Sequence, residues 1–334
     1  MICLETNSTD PYYNLAFEEW VLTRLTEGEY LILWQNDNTV VIGQNQNTFQ
    51  EIDPEFIREH HVNVVRRTTG GGAVYHDLGN LNYSFIKDRV PGAGMDMSEF
   101  TSLVVKALGS LGVTAEASGR NDILVDGKKV SGTAQRVVNA GNRERILYHG
   151  TLLFRSDPEM IQGALRADPA KFTSKATKSV RSRVGNISDY LPEQYSVSDF
   201  KEKLREILTA ENGSEQAGAA QGVPIDFDAV KKLRDEKYAT YAWNYGRSPE
   251  FGFAAKKRFS GGTFEVRLQL EKGIITDAAI FGDFMSLKPA SDIAAALAGT
   301  RYQKEDVEKV LEKFVLTDYL GTITKEEALS VIIP

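Results

Sequence analysis

The sequence is poor in several things at once. Of its 334 residues only one is cysteine, Cys3, so no internal disulfide can form. Four histidines (His60, His61, His76 and His149) beside that single thiol are too few for a typical zinc cluster. No run approaches the roughly 18 apolar residues of a membrane span. The opening MICLETNSTDPYYN has no basic region followed by an apolar one, so no secretion signal is expected. With the lone cysteine, this suits a reducing cytoplasm. Positive charge is not in excess either. The 39 Lys and Arg stand against 46 Asp and Glu, a net charge of −7 that argues against nonspecific nucleic-acid binding as the main role. A local basic patch stays open.

What is present reads as an α+β protein, long enough for one large domain and a smaller one. The first 155 residues are mainly strand-like. EYLILWQ (29–35) and TVVIG (39–43) flank Asn36-Asp37-Asn38, a hairpin-like pattern. VNVVRR (62–67), AVYHD (73–77) and RILYHGTLLF (145–154) are further strand-like runs. In LNYSFI (81–86), Leu81, Tyr83 and Phe85 alternate with polar residues, the period of a half-buried strand. DILV and KKVSG are joined by Asp126-Gly127, a strong short hairpin signal. Helices are expected over 14–25, 99–112, 199–213 and 227–242. After about residue 248 the pattern restarts with two or three antiparallel strands. Val307, Val310, Leu311 and Phe314 then recur at helical spacing, and Thr324 with Glu327 makes a capping box. The expected domains are 1–247 and 248–334.

Three stretches carry charge beside small residues. In RRTTGGGAVYHDLGN (66–80), Gly70, Gly71 and Gly72 follow Arg66 and Arg67. Neither a Walker A loop nor a GxGxxG helix opening is present there. Alone, the run reads as a slack turn with two surface arginines. Glycines also let a backbone approach an anion closely with N–H groups foremost, and strand alternation would aim one of the two arginines at it. In SGRNDILVDGKKVSGTAQR (118–136), Asp122 starts one strand and Lys128 and Lys129 start its partner, so carboxylate and ammonium can share a pocket. Small Ser131 and Gly132 make Lys129 the inward lysine; a solvated hairpin is the blander reading. KFTSKATKSVRSRVGN (171–186) holds Lys171, Lys175, Lys178, Arg181 and Arg183 with no acid. It reads as a loop closing over a phosphate-bearing ligand, a dock for an acidic partner, or plain surface.

Together RRTTGGGAVYHD, GRNDILVDGKKVSGTAQR, YHGTLL and SVRSRVGN resemble the signatures of the lipoate–protein ligase A family, in order through most of residues 1–245. Biotin ligases share the fold and an Asn-Asp…Lys-x-x-Gly arrangement, but not the Arg-Arg and triple-glycine block. The resemblance implies a large domain of mixed, mainly antiparallel sheets packed with helices, plus a small α+β accessory domain at the C-terminus. It implies two steps. Lipoate's carboxylate attacks the α-phosphate of ATP, and the resulting lipoyl-adenylate acylates a lysine of a lipoyl domain. The acceptors would be 2-oxoacid dehydrogenase E2 subunits, the glycine-cleavage H protein, or both, with no nucleic acid or membrane partner.

Carried onto this chain, the resemblance implies Lys129 as the catalytic lysine between lipoate carbonyl and phosphate. Arg67, Gly70, Gly71 and Gly72 would line the lipoyl and phosphate region, and His76 and His149 the pocket. Val74, Tyr75, Asn80, Asn121, Asp122, Lys129, Lys175, Lys178 and Arg181 would form the nucleotide side, with Asp122 near Mg²⁺. Charge repulsion between carboxylate and triphosphate must be offset, and Arg67, Lys129, the glycine N–H groups and Mg²⁺ supply the positive side. Neither histidine has an obvious pairing in the sequence, so no dedicated base is expected for the acceptor lysine. Trp34, Val40, Ile42, Val74 and Tyr75 are candidates for an apolar slot, though for each the core-packing reading is the stronger. Two rivals are an acyl transferase of the same fold, which would need a cysteine nucleophile, and a non-catalytic lipoate or nucleotide sensor.

Overall fold

The structure, a computed structural model, describes residues 1–90, 97–118, 121–165, 184–210, 223–246, 252–271 and 273–333. Ten strands precede residue 155: β1 (Ile2–Glu5), β2 (Tyr30–Trp34), β3 (Thr39–Ile42), β4 (Asn63–Arg66), β5 (Val74–His76), β6 (Asn80–Asp88), β7 (Glu116–Ser118), β8 (Asp122–Val125), β9 (Lys128–Ala140) and β10 (Arg143–Leu153). Seven of them form one sheet in the order β1-β2-β6-β10-β9-β8-β7, antiparallel except for β1 with β2. A second sheet, β4-β3-β5, holds one parallel and one antiparallel pair. The mixed, mainly antiparallel architecture expected from the sequence is the one observed.

The large sheet is covered on both faces. Leu31, Leu81, Tyr83, Phe85 and Tyr148 pack against α-helices Ser98–Ser110 and Val197–Ala210. Ile32, Trp34, Ile86 and Leu147 pack on the other face against helix α1 (Pro11–Arg24). Two-sided cover corrects the half-buried reading of 81–86, because Asn82 and Ser84 are as buried as the apolar residues between them. Their polar atoms belong to the face that carries the cavity.

Two other expectations change. The segment Asn36–Asn38 makes no hairpin, since β2 pairs in the large sheet and β3 in the small one. Asn36 is fully buried and its amide reaches Asn14 and His76, so it anchors a crossing between sheets instead of a turn. The helix expected over 227–242 breaks into Phe227–Leu233, a π-type turn Arg234–Tyr238, and Tyr241–Asn244. Lys237 and Tyr238 both bind the carboxylate of Glu19, which holds the widened turn against α1, and Thr240 caps the next helix. The Asp126-Gly127 turn is as expected. Both residues have positive φ, 49° and 71°, the conformation a two-residue hairpin needs.

Beyond residue 252, β11 (Phe253–Phe259), β12 (Gly262–Glu271) and β13 (Ile274–Gly282) form an antiparallel sheet with its own core, built from Phe264, Val266, Ile293, Leu297, Val307, Leu311 and Leu329. The capping box of Thr324 and Glu327 forms. The loop after β13 reaches back to the first part of the chain. The Gly71 N–H donates to the Phe284 carbonyl (3.2 Å), the Gly282 N–H to the Asn45 carbonyl (2.7 Å), and the Asn45 amide to Ser286 Oγ (3.0 Å).

Candidate active site

Between the two sheets lies a cavity of about 620 Å³, part of it open to solvent. Trp34 on β2, Val41 on β3, Val74 and His76 on β5, and His149 to Thr151 on β10 line it, with Leu15 of α1 at its floor. Arg67, Gly71, Gly72, Asn121, Lys129 and Gly132 line it as well. Several of the expected motif residues are thus drawn together from segments far apart in the chain.

Lys129 and Asp122 sit on adjacent strands with Nζ and Oδ1 2.7 Å apart, each about a third exposed. A bulge lets this happen. Asp122 pairs with Gly132, but the register shifts after Ile123 so that Leu124 faces Lys129. Without the extra residue, Lys129 and Gly132 would point to opposite faces of β9. Gly132 leaves the space the ammonium uses, for a methyl group there would come within 2.9 Å of Nζ and 3.0 Å of Cε. Gly132→Ala should therefore fold normally, since the flexible end of a lysine can move, yet shift the ammonium from Asp122. We expect turnover to fall on the order of tenfold or more with little change in the urea midpoint. Unchanged kinetics would detach the lysine's position from its activity.

The two arginines divide as alternation requires. Arg66 is fully buried and donates to the carbonyls of Gly43, Gln44 and Gln46 and to Thr48, a structural role. Arg67 turns to the cavity, but most of its fork is taken. Its Nε donates to Thr69 Oγ1, Nη1 to the Val41 carbonyl, and Nη2 to the carbonyls of Gly70 and Gly72. Burial pulls this guanidinium down to about 10, partly opposed by the Glu18 carboxylate, so it stays charged at neutral pH. It braces the glycine loop from within more than it reaches outward.

The three glycines do different jobs. A Cβ on Gly70 would meet Ser286 Oγ at 2.8 Å and the Phe284 carbonyl oxygen at 3.0 Å, so this glycine lets the C-terminal loop pack close. Gly71 holds φ +89°, a conformation suited to glycine. Gly72 faces open space, with nothing within 4 Å of the place an added methyl group would take, and borders the cavity.

Both expected histidines line the cavity, and one corrects the expectation that neither is paired. His149 Nδ1 lies 2.9 Å from the buried Glu18 carboxylate, and its Nε2 lies 2.8 Å from Thr69 Oγ1. With both nitrogens engaged, it still offers no open acceptor for a proton. His76 is held by Asn36 at Nδ1. Burial, then Arg67, then His149 depress its basicity to about 3, which keeps it neutral. Glu18, Thr69, Ser84 and Asn36 were not singled out in the sequence. For Glu18 the available signal was an acid within the apolar helix run LAFEEWVL.

Some expected residues are not brought to the cavity. Tyr75 points the other way, into a core with Val40 and Ile42, its hydroxyl bound to Asn38. On β3 it is Val41 that lines the slot. Asn80 lies behind the wall, donating to Asn82 Oδ1, and Asn82 is the residue that faces inward. Asn121 lines the rim. Lys171, Lys175, Lys178, Arg181 and Arg183 lie outside the described residues, although Val184 and Gly185 pair with Lys129. Among the described residues, no group of three or more His, Cys, Asp or Glu is placed to hold a metal ion.

The chain is similar to known proteins over nearly its whole length. The family model of the lipoyl protein ligase A/B catalytic domain matches residues 10–209, and that of the bacterial lipoate protein ligase C-terminus matches residues 248–332. Lipoate–protein ligase 1 of Staphylococcus aureus is 40% identical over 324 residues, covering 97% of each chain. Lipoate-protein ligase LplJ of Bacillus subtilis is 41% identical over 327 residues, covering 98% of each. The fold is similar to that of P. falciparum LipL1 in complex with lipoate, with TM-score 0.80, 24% identity and 99% of each chain covered. It is also similar to a lipoate-protein ligase A bound with ATP, with TM-score 0.59, 26% identity, and 73% of this chain and 97% of that one covered. A third is the bi-partite ligase of Thermoplasma acidophilum, described with its E2 lipoyl domain (TM-score 0.61, 27% identity, 75% and 98% covered).

Proposed function

This chain belongs to the lipoate–protein ligase family, and on that premise we propose that its cavity is where lipoate meets ATP. The activity is ATP-dependent attachment of lipoate to protein. The observation that carries the residue assignment is that Lys129, paired with Asp122, lines a slot walled by Trp34 and Val74.

A carboxylate is a poor acyl donor, so it must first become a mixed anhydride with AMP. That step brings two anions together, and fixed positive charge and backbone donors lower its barrier. Lys129 reaches the carboxylate and α-phosphate from one side, and Gly72 with the remaining Arg67 N–H approaches from the other. Asn121 stands at the same rim. Lys175, Lys178 and Arg181, which lie outside the described residues, are proposed as nucleotide-binding on the family resemblance alone. Mg²⁺ would reach Asp122 as a single carboxylate ligand, since a triphosphate supplies the other oxygens, and when bound it neutralises phosphate charge. In the second half-reaction an acceptor lysine must be neutral to attack. With a reference pKa near 10.4 only roughly one in a few thousand is neutral at pH 7, so positioning against the reactive adenylate carries that step. The acceptors are lipoyl domains of 2-oxoacid dehydrogenase E2 subunits or the glycine-cleavage H protein, modified in the cytoplasm. Residues 1–247 are the catalytic domain and 248–334 the accessory domain.

The acyl-transferase rival needs a thiolate. Cys3 sits on β1 outside the cavity, and burial, aided by Glu5, pushes its thiol up to about 12. At neutral pH it offers no nucleophile. ATP–pyrophosphate exchange driven by lipoate, octanoate and biotin tests the proposal. Exchange is expected with lipoate and none with biotin. Exchange with no acid would remove the proposed site chemistry, and exchange with biotin alone would assign the slot to a different acid.

A further inference from the structure

The two cavity histidines have hydrogen-bond partners whose own roles are forced, and this fixes where their protons lie. At one end of the first chain, the Trp34 indole N–H can only donate, and it meets Ser84 Oγ at 2.9 Å. Ser84 must therefore spend its proton on Glu18 Oε1. At the other end, the Arg67 Nε–H can only donate, and it meets Thr69 Oγ1 at 2.9 Å. Thr69 Oγ1 also lies against His149 Nε2, and the Glu18 carboxylate, which can only accept, faces Nδ1, so His149 carries a proton on Nδ1. The second chain starts at Asn14, whose amide nitrogen donates to the carbonyls of Ser8 and Gln35 and so cannot be its oxygen. Asn36 lies 3.1 Å from that nitrogen and must present its oxygen there, because two amide nitrogens would repel, so the Asn36 nitrogen faces His76 Nδ1. His76 accepts at Nδ1 and carries its proton on Nε2.

We infer that the two cavity histidines carry protons on opposite ring nitrogens, His149 on Nδ1 and His76 on Nε2, and that His76 donates its N–H to an oxygen of the lipoyl head group. His76 Nε2 is buried and has no hydrogen-bond partner among the described residues, although the ring lines the cavity. A buried donor without a partner is rare in a folded protein, and a ligand is a ready explanation for one in a pocket wall. His149 is excluded from that task because both its nitrogens are taken. Glu18 is a positioning residue: one carboxylate fixes the His149 ring and, through Ser84, the Trp34 wall. Asn36 does the same for His76. An uncharged donor suits this place, since it can follow the substrate oxygen from carboxylate to adenylate carbonyl without adding a cation that would overbind the free acid.

This inference rests on the cavity being the lipoate site, and its test separates the two. In ¹⁵N-histidine spectra of the whole protein only four residues contribute, and His60 and His61 are exposed. At neutral pH the buried pair should show one ring protonated on Nδ1 and one on Nε2, the latter absent in His76→Leu. Saturating lipoate should shift the His76 N–H signal and leave its Nδ1 proton-free. In exchange assays His76→Leu should raise KM for lipoate roughly tenfold, about one hydrogen bond, with KM for ATP within about twofold. His76→Gln, whose amide nitrogen can replace Nε2–H, should recover most of that loss. Reversed proton positions, a doubly protonated His76, or a His76 signal indifferent to bound lipoate would overturn the inference while lipoate-driven exchange continued. Equal lipoate KM in His76→Leu and wild type would do the same without appeal to spectra.

Discussion

Lys129→Ala is expected to lose lipoate-driven ATP–pyrophosphate exchange by roughly three orders of magnitude, the size seen when one preorganised transition-state contact is removed. It should fold as the parent does. The pair with Asp122 is about a third exposed, and such ion pairs contribute about 0–1 kcal/mol to stability. Removing the ammonium leaves Asp122 within reach of water, so no buried charge is stranded. The loss should fall on kcat and on kcat/KM together, because the lysine's interaction grows as negative charge gathers between carboxylate and α-phosphate. Lys129→Arg should rescue little. The lysine lies along Gly132 with its tip already where a methyl group would touch it, and a planar guanidinium is wider than an ammonium. Two measurements decide: urea unfolding, which should be unchanged, and quenched-flow formation of lipoyl-adenylate, which should nearly vanish. If the alanine variant formed adenylate at the parental rate, the cation that offsets the repulsion would have to be another one. Arg67 would be the first candidate.

How much of this could be read from residue order depends on what kind of fact it is. Local signals carried well: the Asp126-Gly127 turn, the capping box at Thr324, and the inward Lys129 all rest on a few neighbouring residues. Facts that need two distant segments did not. The Asn36–Asn38 step looked like a hairpin because strand alternation does not say which sheet a strand joins, and the buried Asn36 amide that redirects the chain has partners at positions 14 and 76. Val40 and Ile42 were candidates for the slot, whereas Val41 is the residue that faces it. A one-residue ambiguity reverses every side chain of a strand, and the sequence run VVI has no polar member to break it. Glu18 stayed hidden for a related reason. In a helix buried on most sides, an acid looks like a solvated position until the histidine and serine that pair with it are known. The basic stretch after Lys171 was legible as charge alone, and the described residues give it no position.

Gly43→Ala should damage the molecule more than any change to the triple glycine itself. A methyl group on Gly43 would lie 2.0 Å from the Gly71 carbonyl oxygen, a distance no pair of atoms tolerates, and 3.1 Å from Gln46 Oε1. Neither side can give way cheaply. The Gly43 carbonyl accepts from Arg66, and its N–H donates to Gln46. On the facing loop, the carbonyls of Gly70 and Gly72 accept from Arg67 and the Gly71 N–H donates to Phe284. Separating them must strain one of these buried bonds or push the loop toward the ligand space. Overpacking of this kind costs about 1–3 kcal/mol, and here the backbone contact puts it at the upper end. A lower urea midpoint is expected, together with exchange activity reduced on the order of 100-fold, because a displacement near 1 Å at a reacting centre suffices for that. Gly72→Ala is the matched comparison. Nothing lies within 4 Å of its added methyl group, so stability should hold while the carbon intrudes on the cavity and raises the KM for lipoate. Should Gly43→Ala unfold and turn over like the parent, the 43–46 turn would not be what holds the glycine loop against its ligand.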